Sequence, residues 1–233
     1  MKQSYDYSNI EWLDVTDSTN LEVRRRMGAL DNLSVIASRL QTSGRGRGAH
    51  HWISPEGENL TFSILLRFGR GGFALLPAAE AVRITQLATV SVYEFLLSEG
   101  VRARIKWPND IWVGDRKICG MLIENILDGD SVASSIVGIG LNLNQKLFNP
   151  CLPNPVSLSQ LTGNKYDTKT SLQALYKIFC RQAALLDSAD GRYELESRFK
   201  DNLFYLDKGS QDDFDRAIED FEAAQSSLQG RKL

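Results

Sequence analysis

One hairpin restricts the fold more than any other feature of the chain. Residues 117–127 and 132–144 are β-rich runs joined by Asp128-Gly129-Asp130, and so short a turn lays the two strands antiparallel, side by side. Residues 103–107 and 111–113 read as two further short strands just before them. Residues 10–15, 33–40 and 59–67 give three more toward the N-terminus.

Helical patterns lie between these strand runs. Thr19 and Glu22 fit a capping box, which predicts a helix over 19–30. Pro77 suits the first turn of a helix reaching Ser98, with Ile84, Leu87, Ala88, Val92 and Phe95 at helical spacing. Residues 171–186 and 192–203 follow as helices, after a loop marked by Pro150, Pro153 and Pro155. Strand runs separated by helices predict an α+β fold: a mixed, mostly antiparallel sheet with helices on one face. Residues 1–205 read as one domain and 206–233 as a short, charged tail.

Composition excludes several function classes. There are 27 basic and 29 acidic residues, a net charge of -2, so the basic excess of a nucleic-acid binder is missing. The polar N-terminus lacks the apolar core of a signal peptide, and no apolar run has the ~20 residues a membrane span needs. Cys119, Cys151 and Cys180 show neither disulfide nor metal spacing. His50 and His51 are the only histidines, so no residue set is assigned to a metal. A reducing cytoplasm is the expected location.

Gly44-Arg45-Gly46-Arg47-Gly48, just before Trp52, reads as a mobile loop that offers two guanidinium groups and bare backbone N–H groups to an anion. Gly44–Ala49 also fits G-x-G-x-x-A, but His-His-Trp-Ile-Ser-Pro follows and opens no helix, so a dinucleotide site is rejected. The chain holds neither a P-loop nor the kinase motifs. Lys106-Trp107-Pro108-Asn109-Asp110 ends a strand in a rigid turn, either a plain Asx turn beside a solvated lysine or a set of polar groups aimed at a ligand. Gly120, behind Arg116-Lys117, and Gly138 and Gly140, before Asn142, sit inside strand patterns. They mark bulges or a flat wall against which a small ligand lies. Ser18-Thr19-Asn20 sits at a helix start, where it caps and can also meet a neutral polar head group.

Taken together and in this order, these blocks, with Gln41, resemble the signature of biotin–protein ligases over roughly residues 10–205. The resemblance implies the class II synthetase-like biotin/lipoate ligase fold and a two-step reaction. Biotin and ATP, with Mg²⁺, give biotinyl-5′-AMP and pyrophosphate; a lysine of a biotin carboxyl carrier domain then takes the biotin and AMP leaves. By position, Ser18, Thr19, Asn20, Gln41, Gly44, Arg45, Gly46, Arg47, Lys117, Gly120, Gly138 and Gly140 should bind biotin. Arg47, Trp52, Lys106, Asn109 and Asn142 should bind the nucleotide, with Trp52 near the adenine. Arg47, Lys106 and Lys117 should be catalytic, as cations that offset the charge building where carboxylate meets phosphate. Asp110 joins them on chemical grounds and not from the resemblance: it should help deprotonate or orient an acceptor lysine that is mostly protonated when free.

The resemblance also leaves room for a homodimer. It departs from the family at Gly48-Ala49-His50, where Arg-Gly-Arg often follows. The tail is too short for the small C-terminal barrel many members carry, and no N-terminal DNA-binding extension is expected. The alternatives weighed are a non-catalytic biotin or adenylate sensor, and a lipoate–protein ligase.

Overall fold

The computed structural model describes residues 7–48 and 50–204. The expected tail, 206–233, lies outside the described residues. After a 3-10 turn come β1 (Ile10–Thr16), α1 (Thr19–Arg26), β2 (Val35–Gln41), β3 (Leu60–Arg67) and β4 (Leu76–Pro77). Then follow α2 (Val82–Ser98), β5 (Arg104–Lys106), β6 (Asp110–Val113), β7 (Arg116–Asp128) and β8 (Ser131–Leu141). Three helices close the described chain: α3 (Leu158–Thr162), α4 (Thr168–Ala183) and α5 (Ala189–Asp201).

The fold is α+β around one eight-stranded sheet in the order β1-β2-β3-β8-β7-β6-β5, with β4 pairing β8. The predicted hairpin is its centre: β7 and β8 pair antiparallel around Gly129, whose φ of +58° suits glycine. Only β1 and β2 run parallel among the named strands, with α1 as the crossover.

The sheet has two unlike faces, because side chains alternate along a strand. On β3, Leu60, Phe62, Ile64 and Leu66 point into the main core, which α2, α4 and α5 cover. The alternate residues Thr61, Ser63 and Leu65 point the other way. There α1 crosses, burying Val23 against Ile36, Leu65 and Ile136. So three long helices share one face, as expected, while α1 lies on the other. Fully burying each of those four side chains is worth about 1.5–3 kcal/mol as an upper estimate. Arg67 locks the far end of α1, donating to the carbonyls of Leu30 (2.8 Å) and Met27.

Three local expectations are corrected. The capping box at Thr19 does not form: Ser18 is the N-cap without a side-chain cap bond, and Thr19 turns to Gln41 instead. Pro77 ends β4 by pairing with Ser131, so a 3-10 turn (Ala78–Glu80) intervenes and α2 starts at Val82. The proline loop is followed by a short helix, α3, with a full Ser157–Gln160 capping box.

Candidate active site

The α1 face of the sheet holds a cleft of about 390 Å³. Its floor is a row that strand register brings together: Asp110 beside Gly120, Gly120 beside Gly140, Gly140 beside Thr61. A parallel row sets Leu122, Gly138 and Ser63 side by side. Gly120, Gly138 and Gly140 all fall on this face, so the glycine wall inferred from sequence exists.

Trp52 covers that wall. A Cβ on Gly140 would lie 2.3 Å from the Trp52 indole, and one on Gly120 would lie 3.1 Å from it. Trp52 therefore lies flat on the glycine floor inside the cleft, not beside it. Its indole N–H is buried without an acceptor among the described residues. A Cβ on Gly138 would lie 2.1 Å from Asn20 Oδ1, so this glycine makes room for the Asn20 amide.

The closed end of the cleft is uncharged and polar. Thr19 donates its backbone N–H (2.8 Å) and its hydroxyl (3.2 Å) to Gln41 Oε1. With its oxygen engaged, the Gln41 carboxamide keeps its N–H₂ for other partners. Ser63, fully buried, stands 2.7 Å from Thr19 Oγ1 and 2.6 Å from Asn20 Oδ1. Asn20 Nδ2 donates to the Leu122 carbonyl (3.1 Å) and to Glu124 (2.9 Å). Ser18 lines the same end, its N–H fixed on Asp17 Oδ1 at 2.7 Å. Asp17 titrates well below the usual carboxylate range because Arg25 donates to it, with the Ser18 N–H adding to the effect. Such a pocket matches a compact head group carrying both amide donors and carbonyl acceptors.

The glycine–arginine run carries backbone hydrogen bonds of its own. Arg45 bridges His51, the Gly46 N–H meets the His50 carbonyl at 2.8 Å, and the Trp52 N–H meets the Gly44 carbonyl at 2.9 Å. The segment thus folds back on itself as a small hairpin. Gly44 is absent from the cleft surface; a Cβ there would lie 2.3 Å from the Trp52 carbonyl, so its role is to let the hairpin close. Arg45, Gly46, Arg47, His50 and His51 line the cleft. Arg47 is exposed and forms no ion pair among the described residues.

At the open end, Lys117 Nζ pairs with Asp110 Oδ1 at 2.7 Å, directly beside Gly120. The turn 107–109 presents Asp110 here, and Asn109 anchors that turn by donating its amide to the Met121 carbonyl. Asn142 lines the cleft and donates one amide N–H to the Val156 carbonyl at 3.1 Å. Both asparagines therefore brace backbone with one N–H and keep a second N–H and the carbonyl oxygen. Lys106 does not line the cleft. It pairs with Asp110 across the turn, but its ammonium folds back to 4.0 Å from the Trp112 ring centroid, a cation–π contact. Cys119 underlies this region with its thiol pushed far up by burial, aided by the Asp110 charge, and so is no nucleophile.

Sequence reading missed several lining groups. Phe148, Leu152, Pro153 and Pro155 make the open end apolar; the signal available was apolar side chains interleaved with prolines straight after the second glycine strand. Ser63, which lies buried behind the closed end and braces Thr19 and Asn20, was hidden in an apolar strand, with only its alternation with Thr61 to betray a polar face. No group of three or more His, Cys, Asp or Glu able to hold a metal occurs among the described residues.

The profile of the biotin/lipoate A/B protein ligase family matches residues 12–142. The chain belongs to that family. It is 34% identical over 177 residues to the biotin–[acetyl-CoA-carboxylase] ligase of Paracoccus denitrificans, covering 74% of this chain and 72% of that one. It is also 34% identical over 206 residues to the bifunctional ligase/repressor BirA of Salmonella typhimurium, covering 87% of this chain but 62% of that protein. Among solved structures, the Aquifex aeolicus biotin protein ligase in complex with biotin and ATP superposes with a TM-score of 0.71 at 26% identity, over 86% of this chain and 80% of that one. No helix among the described residues is long and apolar enough to cross a membrane.

Proposed function

We propose that this chain is an ATP-dependent biotin–protein ligase: it activates biotin as biotinyl-5′-AMP and transfers the biotin to a lysine of a biotin carboxyl carrier domain. The observation that carries the reading is that one cleft joins an uncharged hydrogen-bonding end, a glycine floor and a cationic, partly apolar mouth. That sequence of surfaces matches a ureido ring, an apolar tail and a carboxylate to be joined to a nucleotide. The names and bound ligands of the similar proteins support it. A lipoyl head group has no amide donors or acceptors, and would leave Thr19, Asn20 and Gln41 facing nothing they can bond. The several cations exceed what a mere biotin sensor needs.

In this reading Ser18, Thr19, Asn20 and Gln41 orient the ureido ring, and Trp52 shifts or tilts so the tail can lie along Gly138 and Gly140. The biotin carboxylate then reaches Lys117 and the arginines Arg45 and Arg47. Attack of a carboxylate oxygen on the α-phosphorus forms the mixed anhydride and expels pyrophosphate. These cations, already in place, offset the charge that builds on the phosphoryl oxygens. In the second step the acceptor amine attacks the biotinyl carbonyl carbon, and AMP departs with the bonding electron pair. Asp110 accepts or guides the proton of that amine, Lys117 being its partner at rest. The apolar residues Phe148 and Pro155 take the adenine, a role expected of Trp52 from sequence. Mg²⁺ would arrive with the ATP phosphates, since among the described residues the cleft is lined by one carboxylate, Asp110, and that is paired.

The test is to mix the purified chain with biotin, MgATP and a carrier domain and follow the carrier's mass. A gain of one biotin that depends on ATP and Mg²⁺ is expected. No gain and no adenylate, with biotin still bound, would refute the ligase reading.

A further inference from the structure

We propose that Glu124 is a positioning residue that latches the glycine–arginine hairpin to the closed end of the cleft before any substrate arrives. Glu124 lies on β7, four residues after Gly120 and therefore on the same face, but outside the cleft lining. Its carboxylate is reached from two other elements. Oε2 accepts from Asn20 Nδ2 at 2.9 Å. Oε1 lies 3.4 Å from Arg45 Nη1 of the hairpin and 3.3 Å from Arg24 Nη2 of α1. The side chain is 19% exposed, while those of Arg45 and Arg24 are 43% and 46% exposed.

Each contact has a separate consequence. Asn20 is wedged over Gly138 and has Ser63 against its carbonyl, so the Glu124 bond fixes which way its amide faces. Arg45 is the hairpin residue bridged to His51, one position before Trp52, so holding Arg45 holds the whole turn that lays the indole on the glycine floor. One carboxylate thus ties the polar end to the strap across it. The posture it holds is the one in which the indole covers the floor, so an entering ligand has to release it. Because the Arg45 pair is half exposed, it is weak enough for an entering anion to compete for the guanidinium. The latch sets the hairpin's resting posture without locking the cleft shut.

The latch can be read without any ligand, so it stands or falls separately from the proposed reaction, on which only its consequence for biotin rests. The measurement is amide hydrogen exchange at Gly46 and Trp52 in the substrate-free protein. Glu124→Gln keeps an acceptor for Asn20 but removes the charge that holds Arg45. Exchange at those two amides should rise about 1.4- to 5-fold, the range for an exposed ion pair, with β8 amides unchanged. Arg24→Ala should leave both rates alone. Raising NaCl to 1 M should speed the same two amides in the wild-type protein, which removes any dependence on a variant's folding. Wild-type rates in Glu124→Gln, or hairpin exchange indifferent to salt, would overturn the latch. In turnover, Glu124→Gln should shift KM for biotin more than kcat; a fall in kcat with KM unmoved would contradict a positioning role.

Discussion

Gly138→Ala tests the architecture of the closed end. The added methyl would lie 2.1 Å from Asn20 Oδ1 and 2.9 Å from Cγ, far inside contact distance. The amide cannot swing into solvent, since Asn20 is only 3% exposed. Moving it breaks its bonds to the Leu122 carbonyl, to Glu124 and to Ser63. Neutral hydrogen bonds are worth about 1 kcal/mol net and those to a charged group about 1.5–3. If the backbone yields instead, overpacking costs about 1–3 kcal/mol. We expect a loss of about 2–4 kcal/mol, read in thermal unfolding as a fall of about 4–16 °C for a chain of this size. The decisive comparison is the same change in an Asn20→Ala background. The methyl then enters vacated space, and Gly138, whose φ is not positive, gains the usual benefit of replacing glycine, up to about 1 kcal/mol. The second cost should therefore vanish or reverse. Should Gly138→Ala cost as much without Asn20 as with it, the wedge is not the reason for the glycine.

Three further outcomes follow from the site. Lys117→Ala should slow adenylate formation about 10²- to 10³-fold, whereas Lys106→Ala should change it less than about 10-fold; single-turnover measurement with labelled ATP separates them, and equal losses would return Lys106 to the reacting centre. Trp52 lies on the floor that the biotin tail needs, so biotin should shift the tryptophan fluorescence, and Trp52→Phe should remove most of that response although Trp12, Trp107 and Trp112 remain. Asp17 has a depressed pKa in the folded protein, so its pairing contributes above the unfolded value of about 3.9 and fades as pH falls through the acid range. Asp17→Asn should accordingly lower the melting temperature at pH 7 more than at pH 2.5.

The site was legible where chemistry demanded an unusual residue in an unusual place. Glycine inside a strand pattern is costly unless something needs the space, so Gly120, Gly138 and Gly140 pointed to one wall before any fold was known. The same holds for the hairpin around Gly129, which set the centre of the sheet. Legibility failed where a side chain had two partners to choose from. Thr19 could have capped α1, but Gln41, brought 22 residues along the chain by β2, takes both its donors. Lys106 stands in the right strand for a reacting cation, yet its ammonium lies over the ring of Trp112, two residues along β6 from its register partner Asp110. Parallel pairing of β1 with β2 was equally invisible, because it depends on where α1 can bury Val23.

The position of Trp52 shows why motif order and geometry answer different questions. The family resemblance put Trp52 near the adenine, and the structure shows what holds the indole without a nucleotide: the Gly44 carbonyl accepts the Trp52 backbone N–H, which pins the hairpin's base, and the ring covers the bare floor at Gly140 and Gly120. The ring so placed occupies the ground an acyl tail would take along Gly138 and Gly140, so a ligand lying there has to displace it.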